Sequence, residues 1–414
     1  MANPVQSVMT HFQDLPDPRS RLGRRHVLCD LLAIAICATI CGAGGWTAVE
    51  EFGRSKEAWF RTFLELPHGI PSHDTFARLF AALDPDALER CFMEWVAALA
   101  RRCGGESGKP DDGGGLKLVS LDGKSIRGSF QHAWDKSGMA HLVSAFVGTN
   151  RLVLGQLAVD RPGGAGADDE QRRGNEITAL PKLLGLLDLQ GAAVTIDAIG
   201  CQRVLAEQIV DQGAEYVLCA KENQPTLHGK VKRLMDEAVL EGVKGASGTR
   251  GAGVGAVRGD YFEEVDGDHG RVETRRVWVT DEVNWLGEEL LGQWPGLASV
   301  ACVERVREVL GPKVQVQTER HYYISSLRGC DATRMAGAVR GHWGIENRLH
   351  WHLDVSFGED ACRVRKGHGA ENLSRLRRIA LNLLQQETSC KRGIAIKRLR
   401  AGWDHAYLLK VLAG

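Results

Sequence analysis

Apolar positions in the first hundred residues recur three and four apart, the spacing of helices with one buried face, and no alternating strand pattern appears before residue 115. Leu28 to Thr39 is mostly apolar, and Trp46 to Leu64 interleaves apolar with charged positions. Pro71-Ser72-His73-Asp74-Thr75-Phe76 reads as a turn feeding a helix, with Ser72 or Asp74 placed to cap its first amides. Asp84-Pro85-Asp86 starts another helix that runs through Trp95 to Arg102. Residues 104–115 (GGESGKPDDGGG) break the pattern and mark the clearest domain boundary. Beyond it the period changes. Leu116–Leu121, His141–Val147 and Leu152–Val159 read as strands, the last two joined by a Gly148-Thr149-Asn150-Arg151 turn. Asn175 to Leu187 reads as helix, Ala192–Ile196 as strand, Gln202 to Gln212 as helix and Tyr216–Ala220 as strand. Strands in succession followed by alternation predict an α/β sheet. Residues 256–327 add β runs at Val272–Thr280, Ala298–Val306 and His321–Ser326, and Met335 to Trp351 and Leu373 to Gln386 read as the final long helices.

Composition narrows the class. A chain of 414 residues has length for two or three domains, and 43% hydrophobic with 25% charged residues excludes disordered, collagen-like and coiled-coil chains. Eleven cysteines without a C-x-x-C pair point to reduced thiols in a cytosol rather than to disulfides or a zinc ribbon. The first twenty residues carry no basic region followed by an apolar core, so no secretory signal is expected. The apolar run Leu31 to Gly45 falls short of the roughly 20 residues a membrane helix needs and is read as a buried core helix. The glycine-rich loops are poor phosphate cradles: Gly108-Lys109 runs into Pro110, and Gly251, Gly253 and Gly255 follow no strand.

The charges cancel overall, 52 basic against 52 acidic, but not locally. Residues 361–400 hold eleven Lys and Arg against Glu371 and Glu387, a net charge of +9. Arg363, Arg365, Lys366, Arg375, Arg377 and Arg378 are therefore read as a face toward a polyanion, the alternative being a solvated surface.

Two aspartates share one context: Asp122 ends Leu118-Val119-Ser120-Leu121, and Asp197 ends Val194-Thr195-Ile196. Carboxylates at the C-terminal ends of buried strands sit where α/β sheets place ligands. On adjacent strands they would repel unless a cation lay between them, and Mg²⁺ prefers such oxygen donors. Taken singly, each is more often a helix or turn cap. Glu346 is the third candidate, four residues from both His342 and His350 on one helical face. Three acids on three elements suit a two-metal site; a zinc site on His342, Glu346 and His350 is the competing reading, although H-E-x-x-H is absent. Trp343 and Trp351 are read as core residues, with stacking on a splayed base as the alternative.

Asp122-Gly123-Lys124, Thr195-Ile196-Asp197-Ala198 and His342-Trp343-Gly344-Ile345-Glu346-Asn347 occur in the order of the insertion-sequence DDE transposases. The chain most resembles their H-repeat-associated branch. Further matching phrases include Asp17-Pro18-Arg19, Asn175-Glu176-Ile177, Lys221-Glu222-Asn223-Gln224, Phe357-Gly358-Glu359-Asp360 and Ala370-Glu371-Asn372-Leu373. The resemblance covers about residues 10 to 390.

It implies an α/β, RNase H-like catalytic core over 116–390 with a mostly β insertion at about 240–330. It also implies a helical N-terminal domain over 1–103, the linker 104–115 and a basic segment 391–414. Asp122, Asp197 and Glu346 would be the metal-binding catalytic acids, with Mg²⁺ or Mn²⁺ as cofactor. The implied activity is cleavage and strand transfer on double-stranded DNA by an oligomer at synapsis, in the cytoplasm at the nucleoid, without a membrane. The wider superfamily carries Tyr, Arg and Lys around the Glu; here those positions are Val339, His342 and Leu353, leaving Arg340 as the substitute DNA contact and Asp354 beside the missing lysine. A nuclease that cuts without joining, a silent DNA-binding derivative and a zinc hydrolase are the alternatives.

Overall fold

A computed structural model of the chain describes residues 4–20, 24–103, 117–130, 139–159, 169–245, 257–268, 271–309 and 315–413. The boundary at 104–115 and the glycine loop at 251–255 lie outside them. Every element before residue 117 is helical: Pro4–Met9 (α1), Leu28–Ile40 (α2), Trp46–Ser55 (α3), Glu57–Phe60 (α4), His73–Ala82 (α5) and Pro85–Cys103 (α6). Then follow Lys117–Ser125 (β1), His141–Val147 (β2), Leu152–Ala158 (β3), Asp169–Leu186 (α7), Ala192–Ile196 (β4), Arg203–Asp211 (α8), Glu215–Ala220 (β5) and Pro225–Glu241 (α9). The β-rich stretch comprises Val243–Gly245 (β6), Val257–Asp268 (β7), Arg271–Thr280 (β8), Glu288–Leu291 (α10), Ser299–Val309 (β9) and Gln315–Ser325 (β10). Ala332–Gly344 (α11), Gly369–Gln386 (α12), Ile394–Trp403 (α13) and His405–Ala413 (α14) complete the fold. The result is a mixed α/β protein built on a large sheet.

The chain divides into two compact units: Met1–Gly108 with Gly123–Ala179 and Glu346–Gly414, and Lys109–Asp122 with Leu180–Ile345. In the first, α2, α5, α6, α13, α14 and β3 all pack on α12. Both α2 and α12 are buried all round, which an amphipathic helix is not. The apolar run is thus a core helix, as its length predicts, and no helix among the described residues is long and apolar enough to cross a membrane. The expected cap of α5 differs. Ser72 occupies the cap position but its hydroxyl meets the Thr75 hydroxyl and no backbone amide of the helix, and Glu50 from α3 accepts from the His73 amide at 2.7 Å instead. His73 Nδ1 meets the same carboxylate oxygen, and these bonds, with Arg54, hold Glu50 down at about 2. The β2–β3 hairpin is antiparallel, with Arg151 in its turn at φ +55°.

In the second unit β4 runs parallel to both β1 and β5, and β10, β9, β8 and β7 continue the sheet antiparallel. Its core sets Leu118, Ala193 and Val217 from the parallel strands, with Val279 and Ala301, against Met335, Ala338 and Val339 of α11. The helices α9, α13 and α14 are not among those the pattern predicts. For α9 the signal is present: Pro225 opens it, and Leu227, Val231, Leu234, Met235 and Ala238 form its buried stripe. All ten described cysteines are free thiols, eight of these ten lying in buried or half-buried sites that raise the thiol above its usual range.

Candidate functional site

Leu121 pairs with Ile196 at the end of the parallel β1–β4 register. One residue further, Asp122 and Asp197 therefore lie side by side on neighbouring strands, Asp197 just past the end of β4 and Asp122 inside β1, which runs on to Ser125 instead of ending at the aspartate as the sequence pattern predicts. The buried runs Leu118–Leu121 and Ala192–Ile196 determine this, because their parallel register sets the place of the residue that follows each. The loop after Asp197 is tightly held. Asp197 Oδ1 accepts from Ile199 N at 3.2 Å, so the cap reading is also correct for this residue. Gly200 lies so close beneath that a Cβ there would fall 2.1 Å from the Ile196 side chain. Asn223 Nδ2 donates to Ala198 O at 2.7 Å and Gln224 Nε2 to Cys201 O at 3.1 Å, so the Lys221-Glu222-Asn223-Gln224 phrase braces this loop.

Sequence reasoning missed the latch behind the two aspartates. Thr195 Oγ1 donates to Ser120 Oγ at 3.0 Å and lies 3.1 Å from His342 Nδ1, while Ser120 Oγ reaches Gly341 O at 3.5 Å. Burial lowers the His342 pKa to about 4, so its ring is neutral at pH 7. Ser120 and Thr195, each two residues before its aspartate, thus hold the C-terminal end of α11. The signal was present as polar residues inside apolar strands.

Past α11 the helix continues through 345–356 with wider, π-type turns. Ile345, Leu349 and Leu353 are buried at four-residue intervals, and Trp343, Asn347, Trp351 and Val355 are exposed at the same interval. Glu346 belongs to the exposed side. This corrects the core reading of the tryptophans, which are 45% and 51% exposed: Ile345, Leu349 and Leu353 occupy the buried face instead. Among the described residues no group of three or more His, Cys, Asp or Glu is placed to hold a metal, and this covers His342, Glu346 and His350 as much as Asp122, Asp197 and Glu346.

The basic stretch is the largest correction. Arg375, Arg377 and Arg378 are buried, not on a surface. Arg375 Nε lies 2.6 Å from Glu89 and its Nη2 2.9 Å from Glu371. Arg377 and Arg378 flank Glu359 at 3.5 and 3.6 Å. Burial alone would raise the Glu359 carboxyl, but Arg378 and Arg377 hold it below its ordinary value. Lys397 and Arg398 are buried too, bonded to carbonyls of Leu384 and Glu387 and of Ile40, Thr39 and Ser356. Arg365 is half-buried over the Phe130 ring and donates to Gly128 O. Arg363 and Lys366 are exposed, and Arg340 is ion-paired with Glu264 of β7. The buried cations of α12 and α13 are tolerated in the core because each finds a carboxylate or carbonyl there.

Two further groups adjoin β1. Lys124 is 8% exposed and lies 2.6 Å from Asp354 and 3.3 Å from Asp360. A Cβ on Gly123 would fall 2.6 Å from the Glu176 carboxylate, which contacts His141 Nε2, whose Nδ1 is 2.7 Å from Ser125 Oγ.

Comparison with known proteins gives a consistent result. Residues 113–383 match the family model described as a transposase DDE domain, and residues 9–96 match the region described as DDE_Tnp_1-associated. The chain is 35% identical to "Putative transposase YncI" of Escherichia coli O157:H7, over 99% of this chain and 95% of that one. It is 33% identical to "H repeat-associated putative transposase YhhI" of Escherichia coli K12, over 99% and 98%. Among solved structures, a piggyBac transposase synaptic complex with hairpin DNA matches 99% of this chain and 80% of its own at 11% identity and a TM-score of 0.39, too loose to decide anything.

Proposed function

The chain belongs to the insertion-sequence DDE transposases, in their H-repeat-associated branch, and from that premise we propose that it cuts DNA at the ends of an insertion sequence and joins the freed ends to target DNA. The observation that carries this reading is the pair of carboxylates, Asp122 and Asp197, one step past the register of two parallel strands. Glu346, one helical turn beyond the latched His342, is the third acid of the proposal. An RNase H-like core is supported by a β2–β3 hairpin beside β1, with β4 and β5 following in parallel.

The donor set fits a hard divalent cation, Mg²⁺ or Mn²⁺. Such ions are commonly held by one or two carboxylates, with waters and substrate phosphate completing the shell, so a third protein ligand need not stand ready. When bound, the ion supplies Lewis acidity at the scissile phosphate. The protein's part is placement. Asp122 and Asp197 are fixed by buried strands, the Ile199 amide and the Asn223–Ala198 bond keep the Asp197 loop from shifting, and the neutral His342 joins α11 to β4. Hydrolysis at the element end frees a 3′-hydroxyl, which then attacks a phosphodiester of the target. Arg363 and Lys366 are the exposed cations proposed for phosphate contacts, with Arg340 once it exchanges Glu264 for DNA. Action as an oligomer at paired ends belongs to the same proposal.

The test uses purified protein, plasmid carrying the DNA that flanks its gene, and Mg²⁺ or Mn²⁺. Asp122→Asn and Asp197→Asn are the controls; asparagine at 197 can still accept from Ile199. Each is expected to lower cleavage by about 10²–10³-fold with DNA binding retained. Cleavage by either variant at the wild-type rate removes that residue from the site. Binding without cleavage by the wild-type chain replaces the proposal with a silent DNA-binding protein, and nicks without joining replace it with a nuclease.

A further inference from the structure

We infer that the Lys124–Asp354 ion pair is a positioning device for the proposed site, holding the helical run that carries Glu346 against the end of the strand that carries Asp122. The inference rests on the function proposed above. Lys124 lies two residues beyond Asp122 on β1, and Asp354 eight residues beyond Glu346 on the 345–356 run. Their charged atoms are 2.6 Å apart, and Asp360 joins them at 3.3 Å.

Lysine is almost never buried to this degree without a partner, and the desolvation a buried pair costs offsets much of its attraction. A leucine pair would serve stability as well. What an ion pair adds is a defined register between two residues. The need for one is visible in the helix: π-type turns are rare and gather at functional sites. Relaxation to ordinary α-helical turns would rotate Glu346 about the axis relative to Asp354. Leu349 and Leu353 hold the buried side of the run, and Lys124 holds its polar side.

The surrounding contacts keep the two segments together without Lys124. Asp360 accepts from Arg127 N at 3.3 Å, and Arg365 Nε donates to Gly128 O at 3.0 Å. A Cβ at Gly128 would fall 2.2 Å from Cys362 O, so only glycine permits this approach. Loss of the Lys124 charge should therefore loosen Glu346 rather than unfold the unit.

The experiment compares Lys124→Met, Asp354→Asn, Lys124→Arg and Asp354→Glu with wild type. Cleavage is measured against Mn²⁺ concentration, Mn²⁺ binding by electron paramagnetic resonance, and folding and DNA affinity in parallel. Lys124→Met and Asp354→Asn are expected to lose about 10- to 100-fold in cleavage, the cost of a misplaced group, and to require more Mn²⁺ for half-saturation. Melting should fall only slightly, because Asp354 and Asp360 are 35% and 27% exposed and Asp360 still faces Lys124 in Asp354→Asn. DNA affinity should stay at the wild-type value, and Lys124→Arg and Asp354→Glu should recover most of the rate. Wild-type cleavage and Mn²⁺ dependence in both charge-removing variants overturn the inference and leave the proposed function standing. Losses that merely track a lowered melting temperature or weaker DNA binding overturn it as well. A wild-type chain that neither cleaves nor binds Mn²⁺ overturns the function and the inference together.

Discussion

Arg375→Met removes a guanidinium that solvent does not reach, with its side chain 0% exposed. The substitution keeps the apolar stem and deletes the bonds to Glu89 and Glu371. Glu89 is then a carboxylate 2% exposed with its cation gone. Removing one partner of a buried pair costs about 3–5 kcal/mol, a large part of the roughly 5–15 kcal/mol that holds a domain folded. The partner change Glu89→Gln removes the stranded charge but keeps an oxygen for the Gln156 amide, which donates to Glu89 Oε1 at 2.6 Å. The double variant should therefore regain most of the loss and fall short of wild type by about 1–3 kcal/mol, the cost of an imperfectly bonded amide. Urea unfolding followed by tryptophan fluorescence measures both. DNA binding across a salt series separates this account from the charge count along the sequence. A lost phosphate contact lowers the slope of log K against log salt by about 0.9, so Arg363→Ala/Lys366→Ala should lower it by about twice that and Arg375→Met should leave it unchanged. An Arg375→Met protein that unfolds at the wild-type urea concentration while its salt slope falls would refute the burial argument.

Two further outcomes are expected. Glu50 is held at about 2 in the fold by the His73 amide and ring and by Arg54, against 4.5 as the ordinary value, so its contribution is complete above about pH 5 and is lost as pH falls toward 2. Glu50→Gln should flatten the acid limb of a melting-temperature series over that range, and a limb as steep as that of the wild type would show that the carboxylate does not matter. Trp351, half exposed beside the proposed third acid, should be available to stack on an unpaired base. Trp351→Ala should weaken binding to DNA with unpaired ends by about 1–3 kcal/mol while leaving the melting temperature unchanged, and equal affinity would return the ring to a solvated surface.

The elements that were legible were those with a local cause. β2 and β4 fall on the residues the pattern predicts, because each is a short apolar run with turn signals at both ends. The buried helix α2 was readable from composition alone. The cap of α5 was not, because Glu50 reaches His73 across 23 positions while Ser72, the local candidate, bonds to Thr75. The tryptophans differ for a related reason: their size favours the interior, but Ile345, Leu349 and Leu353 fill the buried face of this run and leave both rings outside.

The sequence by itself determined where the candidate aspartates stand. A buried apolar run specifies the place of the residue that follows it on the sheet, and two such runs in parallel register bring Asp122 and Asp197 together, although β1 itself continues to Ser125. It could not determine what the charges of residues 361–400 do, since a count of Lys and Arg carries no information on burial. Arg375 finds Glu89 across 286 positions, and Lys124 finds Asp360 across 236. The desolvation of a charge and the partner that compensates it are properties of the folded packing, so only tertiary structure decided that these cations hold the protein together instead of facing DNA.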